Sequence, residues 1–412
     1  MPYFTNDAVV FGWLLLCLTT VFVTSSNKHP FWRRFYSVFP PLLVCYFLPA
    51  LLHWPLGLVS KEHSQLYFVA SRYLLPAGLV LLCLSVNFRG LVRLGPKAVI
   101  MFLTATVGII VGGPIALLLV SSIAPDWLGA NSTDVWRGLS TVAGSWIGGG
   151  ANQTAMKEIY EVGDSLFATM IIIDVVVANM WMAFLLMGAN HQARIDRWLK
   201  ADSSAIEELK TKAAAYQARV SRIPETKDLL IVLTVAFVAT GLAHWGGGNL
   251  AAWFEANTDG SNSFQSSFFW LIVIATTLGL ALSFTPMRSL EGVGASKVAS
   301  VFIYILVATI GMKMNLGEVA NNLGLFAVGL VWMLVHVVLL IVLAKLTRSP
   351  FFFVAVGSQA NVGGAASAPV VASAFHPALA PVGGIMAVWG YVLGTYGALF
   401  CAYLMRIVTA QP

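Results

Sequence analysis

Gly144-Ser145-Trp146-Ile147-Gly148-Gly149-Gly150-Ala151-Asn152 and Gly357-Ser358-Gln359-Ala360-Asn361-Val362-Gly363-Gly364-Ala365-Ala366 are two glycine-dense stretches of one 412-residue chain. Each follows a long apolar span and a polar break, and each leads into another apolar span. A membrane-embedded chain has little use for the same helix-breaking phrase twice unless both copies serve one task. Paired interrupted segments at matching places in two halves are the best sequence pointer to a solute site in secondary transporters.

The composition places the chain in a bilayer. Hydrophobic residues make up 58% and charged residues 10%, against about 25% charged in a soluble domain. Mean hydropathy is +0.80. Apolar runs of about 20 residues, enough to cross a hydrocarbon core as helix, recur along the chain. Strand-like alternation is absent, which favours a helical bundle over a β-barrel. Cys17, Cys45, Cys83 and Cys401 all lie in apolar runs without CxxC or His neighbours, so they read as packing residues and not as a disulfide or zinc framework. Met1 to Asp7 holds no basic residue, which argues for a retained first helix over a cleaved signal. The net charge of +6 sits mostly in loops, where it sets orientation and gives no sign of a nucleic-acid partner.

Full spans are expected near 8–25, 39–58, 67–87, 98–120 and 163–189, then near 228–246, 266–284, 298–312, 322–344 and 380–405. The glycine stretches, about 136–160 and 350–376, either cross or return as hairpins. With the N-terminus outside and both stretches re-entrant, the inside loops collect 18 of the 24 Lys and Arg residues. A full crossing at the first stretch would instead put the loop after residue 190, with its eight basic residues, outside. Positive-inside bias therefore predicts five spans and one hairpin per half, and an odd number makes the halves run oppositely. The expected architecture is an all-α polytopic membrane protein of two inverted repeats. Residues 1–190 form the first, with its Gly-rich segment 144–152; 191–227 form a cytoplasmic helical linker; 228–412 form the second, with segment 357–367. A stretch from Trp253 to Ser267 reads as an outer loop.

Glycine suits a hairpin tip because peptide groups exposed at membrane depth are tolerated only against protein or a watery cavity, and because it lets a ligand approach the chain closely. Half-helix N-termini favour an anionic group, and freed carbonyls favour a cation. On this reading the candidate site residues are Ser145, Gly149, Gly150, Asn152, Gln153 and Thr154 at the first tip, and Ser358, Gln359, Asn361, Gly363, Gly364 and Ser367 at the second. The bland alternatives are close packing through small residues and helix capping, with Asn152 as a cap and Ser367 as an N-cap ahead of Pro369. Asp174 is a carboxylate deep in a span, a functional candidate by default; it would carry a proton, ligate sodium, or pair with Lys313 or Arg72. Asn179, on the same span, and Thr395, at the matching level of the other half, complete the set. A sodium ion would sit near Asn152, Asp174 and Asn361. His336 reads as a hydrogen-bonded packing residue.

No GxSxG, HExxH, P-loop or Rossmann phrase is present, so no enzyme is expected, and no cofactor beyond a coupling Na⁺ or H⁺. The phrases GSWIGGGANQTAMKE and GSQANVGGAASAPVVA, with the layout between them, resemble the YjcL-like family of integral membrane proteins, a domain of unknown function (819) found in bacteria and plants. That resemblance implies a many-span protein along nearly the whole chain. More distantly, the paired Gly-Gly hairpins are similar to those of sodium-coupled glutamate and citrate symporters. On that likeness Gly149–Asn152 and Gly363–Ser367 would lie at the binding site. The resulting expectation is a multi-pass protein of the bacterial inner (plasma) membrane that moves a small polar, anionic organic solute with Na⁺ or H⁺ by alternating access. Its partners would be that solute, the lipid bilayer and, in one arrangement, a second copy as a homodimer. The rivals are a cation/proton antiporter using Asp174 and a non-transporting membrane scaffold.

Overall fold

The computed structural model describes residues 3–39, 41–53, 55–59, 65–86, 94–128, 134–201, 224–258, 263–313, 324–376 and 379–409. It is helical throughout this range, apart from turns and one isolated bridge between Phe4 and Val59. The first half contains α1 (Asp7–Ser25), the short surface helix α2 (Pro30–Val38), α3 (Pro41–His53), α4 (Leu66–Leu84) and α5 (Pro96–Ile123). Then come α6 (Val135–Gly148), α7 (Gly150–Ile159), α8 (Asp164–Asn190) and the short α9 (Gln192–Leu199). The second half contains α10 (Thr226–Asn257), α11 (Ser267–Ser283), α12 (Ala295–Gly311), α13 (Leu325–Thr347), α14 (Phe351–Val362), α15 (Gly364–Phe375) and α16 (Ala380–Thr409).

Seven of the described helices are long and apolar enough to cross a bilayer, or eight if α11 and the 3₁₀ turn Pro286–Val293, bent by 96°, count as one. Of the ten expected spans, α3 and α12 fall short of that length, and α11 reaches it only together with the bent turn. The expected span 39–58 ends five residues early because His53 turns back to bond the Val59 carbonyl at 3.1 Å. Trp253 and Phe254, expected in a loop, continue α10, and Phe254 stacks on Trp270 of α11 at 5.4 Å. Of the expected linker, α9 is seen and 202–223 lie outside the described residues, as do the loop starting at Asn87 and that after Lys313.

Both glycine stretches fold back on themselves. A straight helix rises about 1.5 Å per residue, so Gly144 and Met156 would stand about 18 Å apart. Instead a side-chain carbon on Gly144 would lie 3.0 Å from Met156 Cγ, and Arg137 donates to the Tyr160 carbonyl at 3.3 Å. Likewise Phe352 at the start of α14 meets Phe375 at the end of α15, ring centroids 5.4 Å apart. Each stretch is therefore a hairpin whose two ends share one face of the bundle.

The hairpins open at opposite ends. Helix α8 starts beside the mouth of the first, where Asp164 pairs with Lys157 at 3.0 Å. It runs 27 residues, about 40 Å, and hands over to α9 at the mouth of the second. There Asp196 accepts from the Phe351 backbone N–H at 2.8 Å, a carboxylate on a helix N-terminus. Lys345, at the end of α13, donates to the Trp198 carbonyl on the same side.

The helices sort into two bundles, each drawn from both halves. In the panel α1 packs on α3, α3 on α12, α12 on α4, α4 on α11 and α11 on α10. In the core α5 packs on α13, α6 on α16, α14 on α5, and α8 on α6 and α13. The seams are tight because glycines let backbones touch. A side chain at Gly279 would strike the Val80 carbonyl at 2.6 Å, and one at Gly112 would strike Trp332 at 2.6 Å. The panel meets the core along α7, α16 and the start of α8.

Candidate functional site

At the first break Gly149 holds φ +80° and ψ −174°, a combination essentially closed to other residues. A side chain there would meet nothing within 4 Å, so its Cα borders open space, while its N–H donates to the Ser145 carbonyl at 2.7 Å and its carbonyl accepts from the Asn152 and Gln153 N–H groups at 3.0 and 3.1 Å. Its neighbour Gly148 does the opposite. A side chain there would run into the Asn152 amide, the Gly390 carbonyl at 2.7 Å and Gly394 Cα at 2.7 Å. A side chain on Gly390 would likewise lie 2.5 Å from the Ile147 carbonyl and 3.5 Å from the Ala360 carbonyl. Both interrupted helices thus converge on one glycine of α16.

The second break repeats this division of labour. Gly364, at φ +60°, faces open space, whereas a side chain on Gly363 would strike Ser367 Oγ and Gln359 Nε2. The N-terminus of α15 lies at Gly364, so Ser367 is inside the helix and does not cap it; its hydroxyl accepts from Gln359 Nε2 at 2.8 Å. Asn152 is no cap either, since α7 begins at Gly150 with Gly149 in the cap position. Packing and open approach to the chain are therefore both present, split between adjacent glycines.

Two asparagines pin the hairpins. Asn152 Nδ2 donates to the Gly148 carbonyl at 3.1 Å and the Tyr391 carbonyl at 3.2 Å, and its Oδ1 accepts from Thr395 at 2.6 Å. Asn361 Nδ2 donates to the Gly357 carbonyl at 3.0 Å and the Phe102 carbonyl at 3.2 Å, and its Oδ1 accepts from Thr106 at 2.8 Å. Both side chains are fully buried.

Asp174, on α8, is held by three neutral donors from the first hairpin: Ser145 Oγ at 2.6 Å, Trp146 Nε1 at 2.7 Å and Gln153 Nε2 at 3.0 Å. Indole and amide nitrogens can only donate, so this cradle suits an ionised carboxylate. Neither expected basic partner reaches it: Arg72 bonds Glu158 at 3.3 Å, and Lys313 lies over the Tyr67 ring at 3.8 Å. Buried charge without a countercharge is costly and uncommon. Gln153 Oε1 and the Tyr46 hydroxyl, both buried, have no hydrogen-bond partner among the described residues, and Tyr46 stands within electrostatic reach of Asp174. At the other hairpin Gln359 Oε1 is in the same condition. Buried polar atoms left unpaired are rare enough to ask for an explanation, and a bound partner is one.

Ser358 bridges Trp181 and His336. Trp181 Nε1 donates to its hydroxyl at 2.7 Å, and His336 Nε2 lies 2.7 Å away. With His336 Nδ1 at 3.1 Å from the Ala105 carbonyl, the geometry assigns the proton to Nδ1 and makes Nε2 the acceptor from Ser358. Thr154 and Asn179 bond backbone carbonyls of their own helices. The structure therefore gathers Ser145, Gln153 and Asp174 into one group, and Asn152 with Thr395 into a second. Asn361 joins a third, with Thr106, and Gln359 with Ser367 a fourth. Asn152, Asp174 and Asn361 share no bonding partner. Thr106, Trp146 and Trp181 belong to these groups but were missed in the sequence. The spacing Phe102-to-Thr106, repeated in Tyr391-to-Thr395, was the signal available. Among the described residues no three His, Cys, Asp or Glu side chains gather to hold a metal.

Compared with known proteins, the sequence matches the family described as Protein of unknown function (DUF819) over residues 13–408. It is also 24% identical over 368 residues, 85% of this chain and 86% of the relative, to the "Uncharacterized membrane protein YjcL" of Bacillus subtilis (strain 168).

Proposed function

The chain belongs to the DUF819 family, and from that premise we propose that it is a secondary active transporter of the bacterial inner membrane. It moves a small polar, anionic organic solute, coupled to Na⁺ or H⁺, by displacement of the core against the panel. One observation carries this reading: two helix breaks, entered from opposite ends of the bundle, both border open space through a positive-φ glycine and both keep a buried glutamine oxygen unpaired. Unwound backbone at membrane depth is tolerated where it lines a cavity, and N-termini of broken helices favour negative groups. The reciprocal packing of α3 on α12 and α4 on α11 supports an inverted repeat, since a twofold relation exchanges those two pairs.

In this scheme the solute lies between Gly149 and Gly364, and Asp174 carries the coupling cation. Purified protein screened by thermal shift against organic acids, amino acids and peptides, with and without sodium, tests it. A solute that stabilises only with sodium supports symport. Flat profiles throughout, together with unchanged uptake in Gly149→Val and Gly364→Val proteins, would count against it. The lone carboxylate favours one rival, a cation/proton antiporter. That rival requires dye-reported proton flux driven by a sodium or potassium gradient and lost in Asp174→Asn.

A further inference from the structure

We propose that Tyr67, Arg72, Lys157 and Glu158 form a charged latch that shuts the panel–core cleft at the mouth of the first hairpin. The latch rests on the transport reading, because it names the contact that must break for the solute path to open at that end.

Tyr67 and Arg72 lie on α4, in the panel; Lys157 and Glu158 end α7, in the core. The Tyr67 hydroxyl donates to Glu158 Oε1, Arg72 Nη1 bonds Glu158 Oε2 at 3.3 Å, and Lys157 Nζ reaches the Tyr67 hydroxyl at 3.3 Å. Lys157 is braced from the core side by Asp164 at 3.0 Å, and Lys313 at the end of α12 covers the Tyr67 ring. Glu158 and Lys157 side chains are only 7% and 6% exposed. Long charged side chains held this way between two bundles bond across the boundary that alternating access must separate.

The backbone around Arg72 is built for the contact. Residues Ala70–Leu74 form a π-turn within α4, an insertion that occurs often at functional sites. His244 of α10 engages the Arg72 carbonyl at 2.7 Å, and the guanidinium packs on Phe268 with 4.1 Å to the ring centroid. Arg72 is thus fixed within the panel and offers its charge to the core. Elsewhere along the panel–core boundary the described residues make neutral contacts. Thr276 meets Thr395 at 3.2 Å and Thr277 meets Tyr396 at 2.6 Å. Near the far ends of α4 and α11, Cys83, Val86 and Leu280 pack on Val388 and Val392. Among the described residues, the contacts at the mouth of the first hairpin are ionic and those around Val388 and Val392 are apolar.

The test needs no knowledge of the solute. In protein with Cys17, Cys45, Cys83 and Cys401 replaced by alanine, a reporter Gly150→Cys in proteoliposomes is titrated with a membrane-impermeant thiol reagent applied to one side at a time. Arg72→Gln and Glu158→Gln are each expected to raise labelling from the Lys157 side about fivefold or more. The double variant should do no more than either single one, because the two groups act through one contact. Tyr67→Phe, which removes only the hydroxyl shared by Lys157 and Glu158, should raise labelling from that side and leave the other unchanged; this arm does not depend on the charge variants folding. Labelling at the reference rate in both charge variants and in Tyr67→Phe would overturn the latch alone. A reporter that reacts from neither side in any variant would overturn the latch and the transport reading together.

Discussion

Asn152 and Asn361 make the same three hydrogen bonds. Each donates to the carbonyl four residues earlier and to a carbonyl on a neighbouring long helix, and each accepts from a threonine one turn further along that helix. For Asn152 the neighbour is α16, through Tyr391 and Thr395; for Asn361 it is α5, through Phe102 and Thr106. With both amide protons and the carbonyl engaged, these side chains hold each hairpin in register. On the transport reading, the groups left to face a solute are the neighbouring glycines and glutamines.

Removing either pin should cost similar stability. Asn152→Ala and Asn361→Ala leave a buried threonine hydroxyl and a buried carbonyl to find new partners, a loss of about 1–3 kcal/mol each. Thr106→Val and Thr395→Val delete the bond to the asparagine at constant shape and should cost roughly 1 kcal/mol, with Thr395→Val somewhat the larger because it also loses the contact with Thr276. Thermal unfolding in detergent reads both pairs. Equal shifts for the two asparagines support equivalent roles, and a large difference between Asn152→Ala and Asn361→Ala would break the equivalence.

The adjacent glycines should separate by mechanism. Gly149→Ala strains a backbone that other residues avoid, at about 1–3 kcal/mol, but meets no neighbour; Gly364→Ala is the same case at lower strain, about 1–2 kcal/mol. Gly148→Ala and Gly363→Ala press on atoms already in contact, and at Gly148 two of those belong to the α16 backbone, which cannot rotate away. Expression and monodispersity should therefore survive substitution at Gly149 and Gly364 better than at Gly148. Ligand-induced thermal stabilisation should be lost at Gly149 and Gly364 even where folding is kept.

Much of this was legible before the coordinates. The all-helical membrane character, the order of the long helices and the two fold-backs follow from apolar run lengths and from loop charge, because water and lipid impose those on the chain directly; the number of full spans does not, since ten were expected and seven or eight described helices are long enough. Which glycine packs and which faces space does not follow. Gly148 and Gly149 are identical letters, and their difference arises from α16, hundreds of residues away. The same applies to Asp174: its depth was visible from the span around it, but its cradle of Ser145, Trp146 and Gln153 depends on the fold-back at Gly149. Capping by Asn152 and Ser367 was a sound local inference that lost to tertiary contacts, since the helices begin at glycines and the side chains bond elsewhere.

Ser358 gives a sharper packing test. Its hydroxyl accepts from Trp181 and lies between that indole, which is partly buried, and His336, which like Ser358 is fully buried. Ser358→Ala leaves an indole N–H and an imidazole nitrogen without a partner, so a loss of about 2 kcal/mol or more is expected. Ser358→Thr should restore much of it if the extra methyl is accommodated. His336→Gln, which can still accept from the serine, should be milder than His336→Leu. Equal destabilisation by Gln and Leu would mean that the imidazole contributes shape and no hydrogen bond.

Asp174→Asn distinguishes a carboxylate that carries charge from one that merely packs. Asparagine keeps the size but offers one acceptor oxygen where the native group offers two, and its amide nitrogen must face a donor from Ser145, Trp146 or Gln153. Serine can reverse its hydroxyl and accept; the indole cannot. If the asparagine oxygen takes the Trp146 bond, its nitrogen faces Ser145 and Gln153, and the glutamine can answer by flipping so that its unpaired Oε1 turns inward. Stability should then fall by no more than about 1–3 kcal/mol, while sodium-dependent stabilisation or gradient-driven proton flux disappears. Gln153→Ala in the same background removes the rescuing flip and should add a further loss beyond its effect in the native protein. Intact ion-dependent behaviour in a well-folded Asp174→Asn protein would move the coupling site away from this carboxylate, leaving the buried charge with a purely architectural role.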